Sequence, residues 1–345
     1  MKKLVIFNLR VDPSSPILGA SIDWIEGFKN HFEITDVVST YVDKNFRLEN
    51  TRILEIGGGS PGARFLAILK LFKFALFLIP KRKEYVVFHH MSPRTAVFPG
   101  ILFKVFGINQ GLWYSHSSRP LALKLAIRIV DYIFSSEKNS FPITSFKAHF
   151  VGHGISLKKF GDAQLTKRRS SSVLFLGRLS RIKNLHKLID AVAMLEEKIP
   201  ITLIGPQSDK EYLEELEKSA SKKNVTLIIK DSVNHDEVSQ NMQQFKYFYS
   251  GMEKSVDKSA LEAAISGCLV LTTDLGTQDL SGMKEVWDNC ATIDFQTVDK
   301  QIEFLENLGQ KELASLQEIV RSEAIAKNNL EKNISQICAI MESER

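Results

Sequence analysis

The chain predicts two doubly wound α/β units in tandem, and three observations carry that expectation. Short apolar, β-branched runs recur along the whole length, spaced so that a helix fits between them. Many of these runs are apolar throughout rather than alternating, the pattern of parallel strands covered on both faces. At about 150 residues per domain, 345 residues suit two such units.

In the first half, strands are expected at Leu4–Asn8, Ile34–Thr40, Arg52–Ile56, Tyr85–His90, Gly111–His116, Tyr132–Ser135 and His149–Gly152. In the second half they are expected at Ser172–Gly177, Ile201–Gly205, Val225–Lys230, Tyr247–Ser250, Leu269–Asp274 and Ala291–Phe295. Helical patterns intervene at Asn184–Glu197, Lys210–Ser221 and Ser259–Ser266. Residues 1–157 form the expected first domain, and 158–171, with the polar run Lys167-Arg168-Arg169-Ser170-Ser171, the linker. Residues 172–345 form the second domain with trailing charged helices, the return of the chain's end to the first domain being left open. Ligands of such sheets bind at the carboxyl ends of the strands, so the site is expected in a cleft between the domains.

Apolar residues at 44% and charged residues at 25% exclude a disordered chain, a collagen repeat and a coiled coil. Three cysteines, Cys268, Cys290 and Cys338, match no metal or redox spacing and are too few for a disulfide scaffold. The start, Met-Lys-Lys-Leu-Val-Ile-Phe, meets Arg10 and Asp12 too soon for a signal peptide. A reducing cytoplasm is the expected location.

The net charge of +5 is uneven. Residues 1–160 hold 22 Lys/Arg against 11 Asp/Glu, and residues 161–345 hold 23 against 29. A basic first half predicts an anionic partner. Nucleic acid is not expected, because the cations are scattered and form no recognition motif. An anionic membrane surface is expected through residues 64–83. There F-L-A-I-L-K-L-F-K-F-A-L-F-L-I (65–79) precedes Pro80 and Lys81-Arg82-Lys83. Fifteen residues with two lysines are too short and too charged to span a bilayer. They suit a helix lying in the interface, or a core helix whose Lys70 and Lys73 mark its solvent stripe.

Two motifs carry the chemistry. S-V-L-F-L-G-R-L-S-R-I-K-N begins at Ser172; Gly177 ends a strand, and Arg178 and Lys183 follow in the loop entering a helix. Two cations there suit a diphosphate, Arg gripping oxygens in pairs and Lys acting as a point charge. S-G-M-E-K-S-V-D-K-S-A-L-E-A-A-I-S-G-C-L-V-L-T-T-D spans 250–274. Here a helix N-terminus near Ser259 is set to hold phosphate oxygens and Glu262 to hold ribose hydroxyls. The structural alternative is a capping box between Ser259 and Glu262. The run G-G-G-S-P-G at 57–62 lacks the G-K-[ST] ending of a phosphate loop and reads as a flexible turn.

Together, G-R-L-S-R-I-K-N and L-E-A-A-I-S-G-C-L-V-L-T-T-D, with I-G-P at 204–206 and D-S-V-N-H-D-E-V at 231–238, resemble the donor domain of retaining glycosyltransferases of family 4, the group 1 type. That resemblance, good over roughly residues 170–280, implies the GT-B architecture: two Rossmann-like domains facing across a cleft. It implies a metal-independent transfer of a hexose-type sugar from a nucleoside diphosphate sugar, with no other cofactor, onto a glycan or lipid-linked acceptor. No D-x-D metal clamp occurs in the chain. Cell-surface polysaccharide or lipid-linked assembly is the expected setting, peripheral on the inner face of the membrane.

The resemblance also assigns residues. Arg178, Lys183, Glu262 and a first-domain histidine, His116 ahead of His90 and His89, are the catalytic candidates. Gly19, Gly177, Pro206, Val233, Glu253, Lys254, Asp257, Lys258 and Ser259 are donor-binding candidates. One departure stands out. The family carries Glu-x7-Glu, but Lys254 lies eight residues before Glu262 and Glu253 nine. Either Glu253 takes the sugar contact, or Asp257-Lys258 replaces it. The rival readings are a nucleotide-sugar epimerase of the same architecture and an inactive binding subunit.

Overall fold

The computed structural model describes residues 2–13, 15, 19–49, 51–57, 60–162, 170–253, 255–288 and 297–342. The chain divides into two compact units, residues 1–154 with 330–345, and residues 155–329. The fold is GT-B, with one parallel sheet in each unit.

In unit one the order is β1 (Lys3–Val11), α1 (Ala20–Phe28), β2 (Glu33–Val42), β3 (Arg52–Glu55), α2 (Pro61–Leu78), β4 (Tyr85–His90), α3 (Pro93–Val97), α4 (Gly100–Val105), β5 (Asn109–Trp113), α5 (Leu121–Ile129), β6 (Tyr132–Ser135) and β7 (Ala148–Phe150). The sheet runs β3-β2-β1-β4-β5-β6-β7, so the strand order reverses between β1 and β4. Alternation along each strand splits the core. Leu4, Ile6, Val86 and Phe88 pack with Trp24 and Phe28 of α1. Val5, Phe7 and Val87 pack with Leu71 and Phe74 of α2 and Phe103 of α4. Leu112 and Ile133 pack with Ala96 of α3 and Leu123 of α5. Right-handed crossovers require this: the path from β1 to β2 runs one way across the sheet, and the steps from β3 onward run the other.

Unit two holds α6 (Leu157–Phe160), β8 (Ser170–Leu176), α7 (Leu185–Met194), β9 (Ile201–Ile204), α8 (Lys210–Lys222), β10 (Leu227–Lys230), α9 (Val238–Met242), β11 (Phe245–Tyr249), α10 (Lys258–Ile265), β12 (Leu269–Leu271), α11 (Leu275–Ser281), α12 (Met283–Asp288), α13 (Val298–Glu306) and α14 (Gln310–Asn328). Its sheet order is β10-β9-β8-β11-β12, reversing between β8 and β11.

The domain limits need correction at both ends. The division falls at Gly154/Ile155, and residues 157–160 of the presumed boundary are helical. The last helix, α15 (Leu330–Glu342), belongs to unit one rather than to the second domain. Its Leu330, Ile334, Ile337, Cys338 and Met341 recur at helical spacing and pack with Trp24, Phe28 and Phe134. Gly27 makes room for it, since a Cβ there would lie 2.4 Å from Ile334 Cδ1. Linker residues 163–169, Cys290, the expected strand at 291–295 and Gly58-Gly59 lie outside the described residues.

Helix α2 fits neither expectation alone. Ala67, Leu71, Phe74, Ala75 and Leu78 are buried against the sheet, while Phe65, Leu69, Phe72 and Leu76 form an exposed apolar stripe on the far side. Among the described residues no helix is long and apolar enough to cross a membrane.

Candidate functional site

Unit two assembles the second-half candidates at the carboxyl ends of β8, β9 and β11, where its strand order reverses. Gly177 directly follows β8, and its N–H donates to Ile204 O at 3.0 Å. Gly205, which directly follows β9, has φ +156°, and a Cβ there would lie 1.8 Å from Gly177 O. The first two loops can therefore meet only with glycine at 205. Leu179 N–H donates to Pro206 O at 3.4 Å, tying the same loops a step further out. Val233 follows β10, packed against the unit's core.

The loop after β8 splits its cations. Arg181 leaves the site, held by both oxygens of Glu215 at 2.7 Å and lying over the Tyr212 ring. Arg178 is exposed and, among the described residues, makes no ion pair. Lys183 ends a 3-10 turn, with Nζ 2.6 Å from Asp257 Oδ2 and both side chains largely buried.

Three residues that sequence reasoning passed over hold this geometry. Asn184 takes a left-handed conformation (φ 51°), which Asn tolerates better than most residues. Its Nδ2 donates to Gly251 O at 2.8 Å, and Tyr249 Oη donates to Asn184 O at 3.0 Å. Gly251 lies so close that a Cβ would stand 2.3 Å from Lys183 O. The loops after β8 and β11 are thus stitched together directly beneath Lys183. The Asn at the end of R-I-K-N was the one available signal.

Helix α10 begins at Lys258, with Asp257 as its N-cap in an extended conformation. The capping box expected between Ser259 and Glu262 is absent, because Ser259 already lies inside the first turn. Asp257, a good N-cap residue, stands in the cap position, but its carboxylate goes to Lys183 and makes no cap bond to α10. Glu262 is 6% exposed and pairs with Lys258 at 3.1 Å. Glu253 binds Lys187 at 2.7 Å on the surface. Lys254 lies outside the described residues.

In unit one, Gly19 and His90 come to the point where the strand order reverses. Gly19 is the N-cap of α1, just after β1, and His90 ends β4, its Nδ1 3.4 Å from Asn8 Oδ1. His116 is exposed on the loop after β5, one strand further along, and its Nδ1 accepts from Ser118 N–H at 2.9 Å. His89 is a core residue. It is fully buried, stacked on Phe7 at 5.0 Å, with Nδ1 3.0 Å from Thr95 Oγ1 and Nε2 3.3 Å from Gln110 Oε1. Gln110 Nε2 donates to Gly100 O, so its oxygen is left to accept from the imidazole. Burial pulls the His89 pKa down to about 3, which keeps the ring neutral.

Comparison with known proteins fits this arrangement. The family model of group 1 glycosyl transferases matches residues 170–294. Residues 170–294 thus resemble a group 1 glycosyltransferase domain. Among solved structures it is similar to HepE from Anabaena in complex with UDP-glucose (14% identity, 100% of each chain, TM-score 0.75). It is also similar to a glycosyltransferase from Rickettsia africae (14% identity, 99% of this chain and 98% of that one, TM-score 0.74). A third is the lipopolysaccharide outer core galactosyltransferase WaaB (14% identity, 99% and 100%, TM-score 0.66). Among curated protein sequences none matches the chain. At these identities the likeness concerns the fold.

Proposed function

We propose that this chain is a retaining glycosyltransferase of the group 1 type that moves a hexose-type sugar from a nucleoside diphosphate sugar to a glycan or lipid-linked acceptor. It does so without a protein-bound metal, at the inner face of a membrane reached through residues 64–83. One observation carries the reading: Lys183, paired with the N-cap residue Asp257, stands at the N-terminus of α10 at the reversal point of unit two's sheet, and the exposed Arg178 lies on the same loop after β8. Positive potential is concentrated there, where a diphosphate would sit. When the bond from the anomeric carbon to the diphosphate breaks, negative charge grows on the phosphate oxygens. Donors fixed in advance lower the barrier without reorganising. Gly177, Gly205 and Pro206 keep the floor of this site free of side-chain bulk, and Val233 borders the base. Glu262 holds the ribose hydroxyls once Lys258 yields it. Glu253 or Asp257 meets the sugar. That HepE was crystallised with UDP-glucose makes UDP-hexoses the first donors to try.

A second reading, a binding subunit without turnover, is favoured by Lys254 standing where the family pattern has a carboxylate. Nucleotide release from UDP-, GDP- and ADP-sugars in EDTA, with membrane-derived acceptors, separates the readings. Acceptor-dependent release lost in Arg178→Ala supports transfer. Conversion of the donor with no acceptor indicates an epimerase, and binding without turnover indicates the subunit.

A further inference from the structure

We infer that the helical layer α2, α3, α4 and α5, covering one face of unit one's sheet, docks as a whole onto an anionic lipid bilayer. The inference rests on the reading of the chain as a membrane-surface transferase and extends it beyond residues 64–83. Charge is the first support. Residues 56–130, from the end of β3 to the end of α5, hold eleven Lys/Arg and one Asp/Glu, a net +10. That accounts for nearly all of the +11 of residues 1–160. The lone acid, Glu84, faces Lys3 at 3.5 Å, and Lys104 is paired with Asp131. Arg64, Lys73, Lys81, Arg82 and Lys83 make no ion pair among the described residues and are exposed. The opposite layer differs: α1 carries Asp23 and Glu26, and α15 carries Glu331 and Glu342 against Lys332.

Apolar exposure is the second support. Phe65, Leu69, Phe72 and Leu76 line the outward side of α2 at 42–64% exposure. Ile101 and Val105 of α4 are 51% and 72% exposed, and Leu121 and Leu125 of α5 are 71% and 39% exposed. Helices packed on one face of one sheet turn their outward stripes to the same side, so these residues add up to one surface. Large apolar side chains among unpaired cations suit acyl chains beneath anionic headgroups. A second copy meeting this face through a two-fold axis would bring like charges together.

Vesicle co-sedimentation tests the inference, using phosphatidylcholine vesicles with and without phosphatidylglycerol. Wild type is expected to sediment only with the anionic vesicles, and less as salt rises. Lys70→Glu/Lys73→Glu on α2 and Lys124→Glu/Arg128→Glu on α5 should each weaken binding by about tenfold or more. Leu121→Ser/Leu125→Ser should weaken it as well, and Lys332→Glu on the opposite layer should not. Circular dichroism and nucleotide binding by unit two report whether each variant is folded. If the α2 variant loses binding while both folded α5 variants keep it, attachment through 64–83 stands and the layer inference falls. If folded wild type ignores anionic vesicles, both fall. Equal sedimentation with phosphatidylcholine alone removes the anionic headgroup.

Discussion

Asp257→Asn should tighten the binding of UDP. The Lys183 ammonium lies 2.6 Å from this carboxylate, with the two side chains 16% and 14% exposed. At an effective dielectric of about 20, two charges at that distance attract by roughly 6 kcal/mol. Desolvation of both groups cancels most of this, leaving a coupling of about 1–2 kcal/mol. A diphosphate that takes Lys183 must break the pair and then tolerate the carboxylate nearby. Removing the charge of Asp257 therefore tightens UDP by about 5- to 30-fold. Lys183→Met weakens it, and the double variant shows no gain over Lys183→Met. With a UDP-sugar the gain shrinks, because Asp257 released from Lys183 is free to meet sugar hydroxyls. Isothermal titration calorimetry at low, fixed ionic strength measures all four proteins. Unchanged or weaker UDP binding by folded Asp257→Asn would refute the idea that donor and Asp257 compete for Lys183.

Two further outcomes follow from the geometry. Gly205→Ala should cost about 2–4 kcal/mol and abolish nucleotide binding, since its Cβ would stand 1.8 Å from a backbone oxygen that cannot step aside. Chemical denaturation followed by Trp287 fluorescence in unit two checks it, and an unperturbed variant would show that the loops after β8 and β9 do not meet. The second outcome concerns His89, whose folded pKa of about 3 lies below the ordinary 6.5. Below pH 6.5 the unfolded chain takes up a proton that the folded core refuses. Unit one should therefore lose about 1.4 kcal/mol of stability per pH unit down to about pH 3, with the full contribution present above pH 6.5. Denaturation followed by Trp24 and Trp113 at several pH values should show that slope, and His89→Phe should flatten it. An identical slope in the variant would assign the acid sensitivity to other groups.

What the sequence discloses and what it withholds divide along contact range. The runs Tyr85–His90 and Tyr132–Ser135 are strands with the limits expected from their apolar pattern. The strand expected at Gly111–His116 instead spans Asn109–Trp113. Tyr114 N–H makes the last bond to β6, at Phe134 O, its phenol is bound at the Ser118 backbone, and His116 lies on the loop beyond. Pairings across long separations were not legible. Lys183 and Asp257 are 74 residues apart, and Asn184 and Gly251 are 67 apart. Nothing local marks either pair. The stripe on α15 is plain in the sequence, but a stripe states that a helix is covered, not by what. For Glu262 the local signal misled, since a helix starting two residues earlier, with Asp257 rather than Ser259 as N-cap, turns a capping box into an i, i+4 ion pair with Lys258.

The most direct test of the donor-site assignment is calorimetric binding of UDP, GDP, ADP and CMP to wild type and Arg178→Ala without metal. Micromolar binding of one nucleoside diphosphate, lost in the variant, is the predicted result and would name the base. No binding of any nucleotide by folded wild type would contradict the assignment of Arg178, Lys183 and the N-terminus of α10 to a diphosphate.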